Sequence, residues 1–238
     1  VATPRMLLRL FSFCKYTEKF VKLRNNIYLC NKLLGMKLVV MTKSTYFVEE
    51  DKILTALFEE GLDNLHISKN EDSTLYLERL LSLIPNSYHR YITVHQHYRM
   101  KNEKSLAGIH LDTDNAVPPV GYKGLIGMTC RNSMRLKEMR KVSDYVFLGN
   151  MYTTEHKDTN EEHTFSDLEL TELKNQGLLG KRVYAMGGIT LDRISELKQY
   201  GFGGVVVDEE FWNQFDLHSD IDFKGIIKYF QKLQKAIE

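Results

Sequence analysis

The segment GNMYTTEHK (149–157) directly follows the apolar run Tyr145-Val146-Phe147-Leu148. Thr153 and Thr154 offer hydroxyl donors, His156 an imidazole and Lys157 an ammonium, the kinds of side chain that grip phosphate oxygens. A second candidate is AMGGIT (185–190), where Gly187-Gly188 would let bare backbone approach an anion at the start of a helix. Glycine pairs also serve plain tight turns, and the continuation DTNEEHTFSD reads equally well as a polar surface loop. The third set is rich in histidine. In HISKN, period-two spacing puts His66, Ser68 and Asn70 on one face. His95, Gln96 and His97 end another short apolar run, and His110 lies in GIHLDTDN. His110, Asp112 and Asp114 are conceivable metal ligands. Neutral polar contacts or acid–base groups working near neutral pH fit the same histidines.

Something must bring these residues together. Short β-rich runs occur at 38–41, 64–67, 91–94, 107–111, 124–128, 144–148, 182–185 and 204–207. Helical periodicity fills most of the intervals. Leu77, Leu80, Leu81 and Ile84 share one face, and Phe223, Ile226, Ile227 and Phe230 another. Thr190 is placed to cap a helix that carries Asp192 in its first turn. The interval 112–123, with Pro118-Pro119, has no room for a full helix. Eight strands alternating with helices predict a single-domain (β/α)8 barrel over 36–238, with the helix after strand 4 short or absent. The competing doubly wound sheet lacks a GxGxxG after its first strand. In a barrel the chemistry sits at the C-terminal strand ends, and phosphate commonly binds after strands 7 and 8. All the candidate segments stand there.

Composition narrows the partners. The 238 residues carry a net charge of +1 and are 43% hydrophobic and 26% charged. That balance argues against a nucleic-acid surface covering the protein. No apolar stretch has the length of a membrane span, so no membrane partner is expected. Residues 1–35 differ from the rest, with seven Lys/Arg against one acid. They read as a basic N-terminal extension, non-native or else disordered or helical; Arg9 interrupts what would be a signal-peptide core. Cys14, Cys30 and Cys130 have no metal or CxxC spacing, so they are expected to be free thiols in a reducing, cytoplasmic setting. A homo-oligomer is compatible with the sequence.

GIHL (108–111), SDYVFLGNMYTTEHK (143–157), AMGGIT (185–190) and GFGGVVV (201–207), in this order and spacing, resemble the thiamine phosphate synthase/TenI family of (β/α)8 barrels. The likeness runs over nearly all of 36–238. It implies an enzyme of thiamine biosynthesis whose ligands are phosphorylated thiazole and pyrimidine small molecules. The synthases of that family join hydroxymethylpyrimidine diphosphate to thiazole phosphate, with Mg2+ stabilising the departing pyrophosphate. The TenI branch tautomerises a thiazole carboxylate phosphate without metal. Carried over residue by residue, the resemblance puts thiazole phosphate on Gly188, Thr154 and Lys157, with His156 replacing a second threonine. His66, Ser68 and Asn70 stand where the synthases have a Gln-x-Arg-x-Lys trio, and His66 is the TenI-like choice. His95-Gln96 replaces the synthases' Asn-Asp, and Asn115 their second acid, so the magnesium carboxylates are unmatched and Asp112 and Asp114 are the near substitutes. Arg131 stands where the tautomerase has its histidine, and Asp208-Glu209 where the family has Val-Ser. His66, His95, His110 and Arg131 are thus the candidate catalytic residues.

Overall fold

Eight runs of mostly aliphatic and β-branched residues form eight parallel strands. They are β1 (Lys37–Met41), β2 (Leu65–Ile67), β3 (Ile92–Val94), β4 (Gly108–Leu111), β5 (Leu125–Cys130), β6 (Tyr145–Leu148), β7 (Val183–Met186) and β8 (Gly204–Val207). This computed structural model describes residues 35–113, 116–152 and 164–238. Each strand pairs with the next, and β1 pairs with β8 from Lys37 opposite Gly204 to Val40 opposite Val207, which closes a barrel. The sequence-based strand limits agree to within two residues, and the expected closed barrel is what forms.

Both faces of every strand are covered, so alternation sorts residues between two cores rather than between core and water. Val40, Ile67, Val94, Ile109, Val146 and Val205 face outward into the layer beneath the helices. Val39, Phe147, Tyr184 and Val206, with Met41, Tyr145 and Met186 packed on them, fill the lumen. The same alternation leaves five polar residues buried towards the lumen: His66, Thr93, His95, His110 and Thr129.

The outer layer comprises α1 (Glu50–Glu59), α2 (Thr74–Leu83), α3 (Met100–Glu103), α4 (Ser133–Val142), α5 (Asp167–Asn175), α6 (Ile194–Tyr200), α7 (Glu209–Trp212) and α8 (Asp220–Ile237). α2 buries Leu77, Leu80 and Leu81, and α8 buries Ile226, Phe230 and Leu233, following the sequence periodicity. α5 begins with a capping box between Ser166 and Glu169. Among the described residues no helix separates β4 from β5, as the proline pair suggested. The crossover after β3 is thinner than its sequence implied, since α3 has four residues. Thr190 does stand at the N-cap position, but its hydroxyl caps nothing. The chain enters α6 through a 3₁₀ turn, in which Arg193 N–H donates to the Thr190 carbonyl instead (3.2 Å).

Residues 1–34, Asp114, Asn115, Thr154, His156 and Lys157 lie outside the described residues.

Gly127 on β5 makes the lumen wide enough for its polar contents. A Cβ there would stand 2.4 Å from His110 Nδ1 and 2.4 Å from Tyr145 Cζ. Gly127→Ala is expected to cost about 1–3 kcal/mol by overpacking a space whose occupants are buried. Urea unfolding of the variant measures this, and an unchanged midpoint would show that the two rings can retreat.

Candidate active site

The strand ends bring His66, His95 and His110 into one buried group. His66 and His110 are fully enclosed and the His95 side chain is 1% exposed. His66 Nδ1 lies 2.9 Å from His95 Nε2. His95 Nδ1 lies 2.8–2.9 Å from both oxygens of Asp112, whose side chain is 36% exposed. His110 stacks on His95 at 4.4 Å and 16°, and its Nε2 is 2.8 Å from Thr129 Oγ1. That hydroxyl in turn lies 3.4 Å from Asp112 Oδ1. Arg131 donates from Nη1 to the Asp112 carbonyl at 2.8 Å and is exposed. His97, the fourth histidine of this region, turns away to Thr74 Oγ1 (3.0 Å) and Asp72 (2.9 Å).

Tyr145 was not singled out from sequence. It opens β6, reaches across the lumen, and sets its hydroxyl 3.2 Å from His66 Nε2. As part of an apolar strand it read as core, and only barrel parity could have exposed it as an inward polar residue. Burial pushes its hydroxyl far up from the usual tyrosine range.

The other half of the mouth is a backbone site. Gly187 (φ 99°) and Gly188 (φ 64°) both adopt left-handed conformations after β7. A Cβ on Gly188 would lie 3.0 Å from Tyr152 Cβ and 3.2 Å from Arg193 Nη1. The start of the segment after β6 packs here, with Tyr152 N–H donating to the Gly187 carbonyl at 3.2 Å. Arg193, also missed from sequence, donates to the Gly188 carbonyl (2.8 Å) and lies over the Tyr152 ring at 4.1 Å. A guanidinium five residues past the paired glycines was the available signal.

Ser68 and Asn70 tie the β2 end to the β1 loop through backbone bonds, Ser68 N–H to Thr42 Oγ1 (3.2 Å) and Asn70 N–H to the Ser44 carbonyl (2.8 Å). Between them Lys69 faces away and is buried, its Nζ 2.5 Å from Glu50 Oε1 and donating to the Lys43 and Thr45 carbonyls. Glu209, after β8, accepts from Ser44 N–H at 2.6 Å and pairs with Lys43 at 3.4 Å. Its charge is therefore engaged by the β1 loop.

One nitrogen from each of His66, His95 and His110 lies within 4.8 Å of the others. Lone pairs lie in the imidazole plane, and near-parallel stacking of His95 on His110 keeps those two planes from meeting at one ion. Magnesium requires several hard oxygen donors. Among the described residues Asp112 stands beside the three imidazoles and is already shared by His95 and Thr129, so the three histidines form a hydrogen-bonded stack and not a set of magnesium ligands.

Comparison with known proteins agrees with the barrel. A family model described as thiamine monophosphate synthase (TMP-TENI) matches residues 39–211. The thiamine-phosphate synthase of Lactococcus lactis is 28% identical over 152 residues, covering 59% of this chain and 67% of that protein. The crystal structure of thiamine phosphate pyrophosphorylase from Bacteroides thetaiotaomicron superposes with a TM-score of 0.75 at 42% identity, over 84% of this chain and 97% of that one. The thiamine phosphate pyrophosphorylase of Pyrococcus furiosus, at 17% identity and a TM-score of 0.66, shares the fold over 85% and 95% of the two chains. None of the described helices is long and apolar enough to cross a membrane.

His66 and His110 are held well below the ordinary imidazole value of 6.5, first by burial and then by the neighbouring His95. The unfolded chain binds protons on them that the fold does not, so the stability they permit is present above that value and is lost as pH falls. Below pH 6.5 each should cost about 1.4 kcal/mol per pH unit. Glu50, raised by burial to about 7, acts in the opposite sense, so the comparison is made against a variant. His110→Gln should flatten the fall in urea stability between pH 6.5 and 5.5 by roughly 1 kcal/mol. An unaltered slope would mean that His110 takes up its proton within the fold.

Proposed function

We propose, from the premise that this chain belongs to the thiamine monophosphate synthase family, that it is an enzyme of thiamine biosynthesis binding thiazole phosphate at the C-terminal mouth of its barrel. The observation that carries this reading is the Gly187-Gly188 turn, left-handed at both residues, with the Arg193 guanidinium beside it. Bare backbone and a cation at the end of β7 suit a phosphate. Thr154 and Lys157 belong to the segment that starts beside this turn, and in this reading they and His156 complete the phosphate grip.

The reaction we favour is the transfer that couples thiazole phosphate to hydroxymethylpyrimidine diphosphate and releases pyrophosphate. The names and extent of the Lactococcus and Bacteroides relatives support it. In it Gly188, Arg193 and Lys157 hold the phosphate, and Asp112 and Arg131 line the opposite rim. Thiazole tautomerisation is the second reading. It is favoured by Ser68 and Asn70, which give no cation for a diphosphate, and by His95-Gln96 standing where the synthases have Asn-Asp. A third reading, a family member that has lost catalysis and binds a thiamine-related ligand or a protein partner, is separated from the synthase by the same assay.

Purified protein supplied with both synthase substrates and Mg2+ is expected to release pyrophosphate. No release, combined with a rise in melting temperature on adding thiazole phosphate, would favour the tautomerase or binding readings; no rise either would remove the phosphate site. Gly188→Ala, strained at φ 64° and blocked by Tyr152, should abolish the thermal rise. Lys157→Ala should weaken thiazole phosphate binding about ten-fold, the usual worth of a charge-assisted hydrogen bond. Unchanged affinity would take the segment after β6 out of the site.

A further inference from the structure

The hydrogen bonds behind Asp112 have a direction, and it can be worked out. An ionised carboxylate only accepts. His95 must therefore carry its proton on Nδ1, the nitrogen 2.8–2.9 Å from both Asp112 oxygens. With His95 neutral, its Nε2 is a bare acceptor, and His66, 2.9 Å away, is then protonated on Nδ1. That leaves His66 Nε2 bare, and it accepts from the Tyr145 hydroxyl at 3.2 Å. A second branch obeys the same rule. Thr129 O–H donates to Asp112 Oδ1 (3.4 Å), so its oxygen accepts from His110 Nε2–H at 2.8 Å. The remaining nitrogen, His110 Nδ1, is buried without a partner among the described residues, beside the space that Gly127 leaves. A bare lone pair is the cheaper atom to leave there than an N–H.

Every donor in both branches thus points towards one carboxylate. The inner chain cannot run backwards to empty itself, because its far end is a tyrosine hydroxyl in the barrel interior, where burial opposes the phenolate. It is a fixed array of dipoles, fully tied down except at its outer end. Asp112, with its side chain 36% exposed, is that end. The groups facing it are His95, His110, Thr129 and the Arg131 guanidinium that grips its own carbonyl.

We propose that Asp112 is a pre-set hydrogen-bond acceptor for a donor group of the ligand, an amino or ring N–H or a cationic ring edge, and that His95, His66 and Tyr145 are its positioning residues. The anion half of the mouth would hold the phosphate while Asp112 reads the nitrogenous part. This assigns the carboxylate a recognition role in place of magnesium binding, and its ligand arm rests on the thiazole-phosphate reading above.

Two measurements test it. Long-range ¹H–¹⁵N spectra of the histidine-labelled protein at neutral pH should show His66 and His95 as Nδ1–H tautomers and His110 as the Nε2–H tautomer. His95 in the Nε2–H form would overturn the proposal whatever the protein binds. Calorimetric titrations then use thiamine phosphate, which carries an amino group and a cationic ring, and thiazole phosphate, which carries neither. Asp112→Asn should weaken thiamine phosphate about ten-fold or more, as loss of one charged acceptor implies, and leave thiazole phosphate within about two-fold. His95→Asn, whose amide can stand in for the Nδ1–H donor, should retain thiamine phosphate affinity that His95→Leu loses. Equal losses for both variants, or for both probes, would reduce the chain to a structural one and sink the proposal. If the wild-type protein binds neither probe, the thiazole-phosphate reading fails, and with it the ligand role of Asp112; the spectra still decide the orientation of the chain.

Discussion

A polar group sealed inside a barrel must find a partner within the barrel, because there is no water to supply one. That constraint governs this molecule's interior. Strand alternation turns two histidines and two threonines into the lumen, with His95 just past β3, and helices cover the outside of the strands that carry them. Each of the three imidazoles then takes its orientation from its neighbour, and the sequence of hydrogen bonds ends where solvent begins, at Asp112. The lumen is less a filled plug than a wired one. Aromatic rings make room for this. Phe147 lies beneath His66 and His110, at 4.8 and 4.3 Å between ring centres.

The rim divides by chemistry. β2 to β5 end in imidazoles, a carboxylate and an arginine, with side chains supplying the polar atoms. β7 ends in bare backbone, with Arg193 and Tyr152 stacked beside it. In the function proposed above, the two halves take different parts of one small molecule, a nitrogen-bearing ring and a phosphate. Charges that would spoil the division are taken up by local partners. Lys69 is spent on Glu50 inside the β1 loop, and Glu209 is held by Ser44 and Lys43.

Much of this was legible in the chain because a barrel repeats one rule eight times. Strand positions, the thin connection at Pro118-Pro119 and the glycine turn after β7 all follow from local pattern. The histidines could be placed at successive strand ends, but their mutual contact depends on the stagger between strands, which no local pattern encodes. His97 illustrates the limit. It sits two residues from His95 yet turns out to Asp72, because its backbone takes a left-handed conformation (φ 51°) that ends the alternation. Tyr145 shows the reverse case, since a residue at the N-terminal start of β6 reaches a histidine in the middle of β2 through the tilt of the strands. Thr190 had the right residue type for a cap, and the 3₁₀ entry to α6 passed the bond to its carbonyl.

The ring is also closed along the chain. Met36 N–H donates to the Ile237 carbonyl at 3.1 Å, so the first strand's approach and the last helix's end meet. A barrel whose two ends lie one hydrogen bond apart has no mechanically privileged beginning. Its order of strands could be cut open at a surface crossover and rejoined across Met36 and Ile237 by a short linker, and the wiring of the lumen, which depends on neighbours around the ring, would be left as it is.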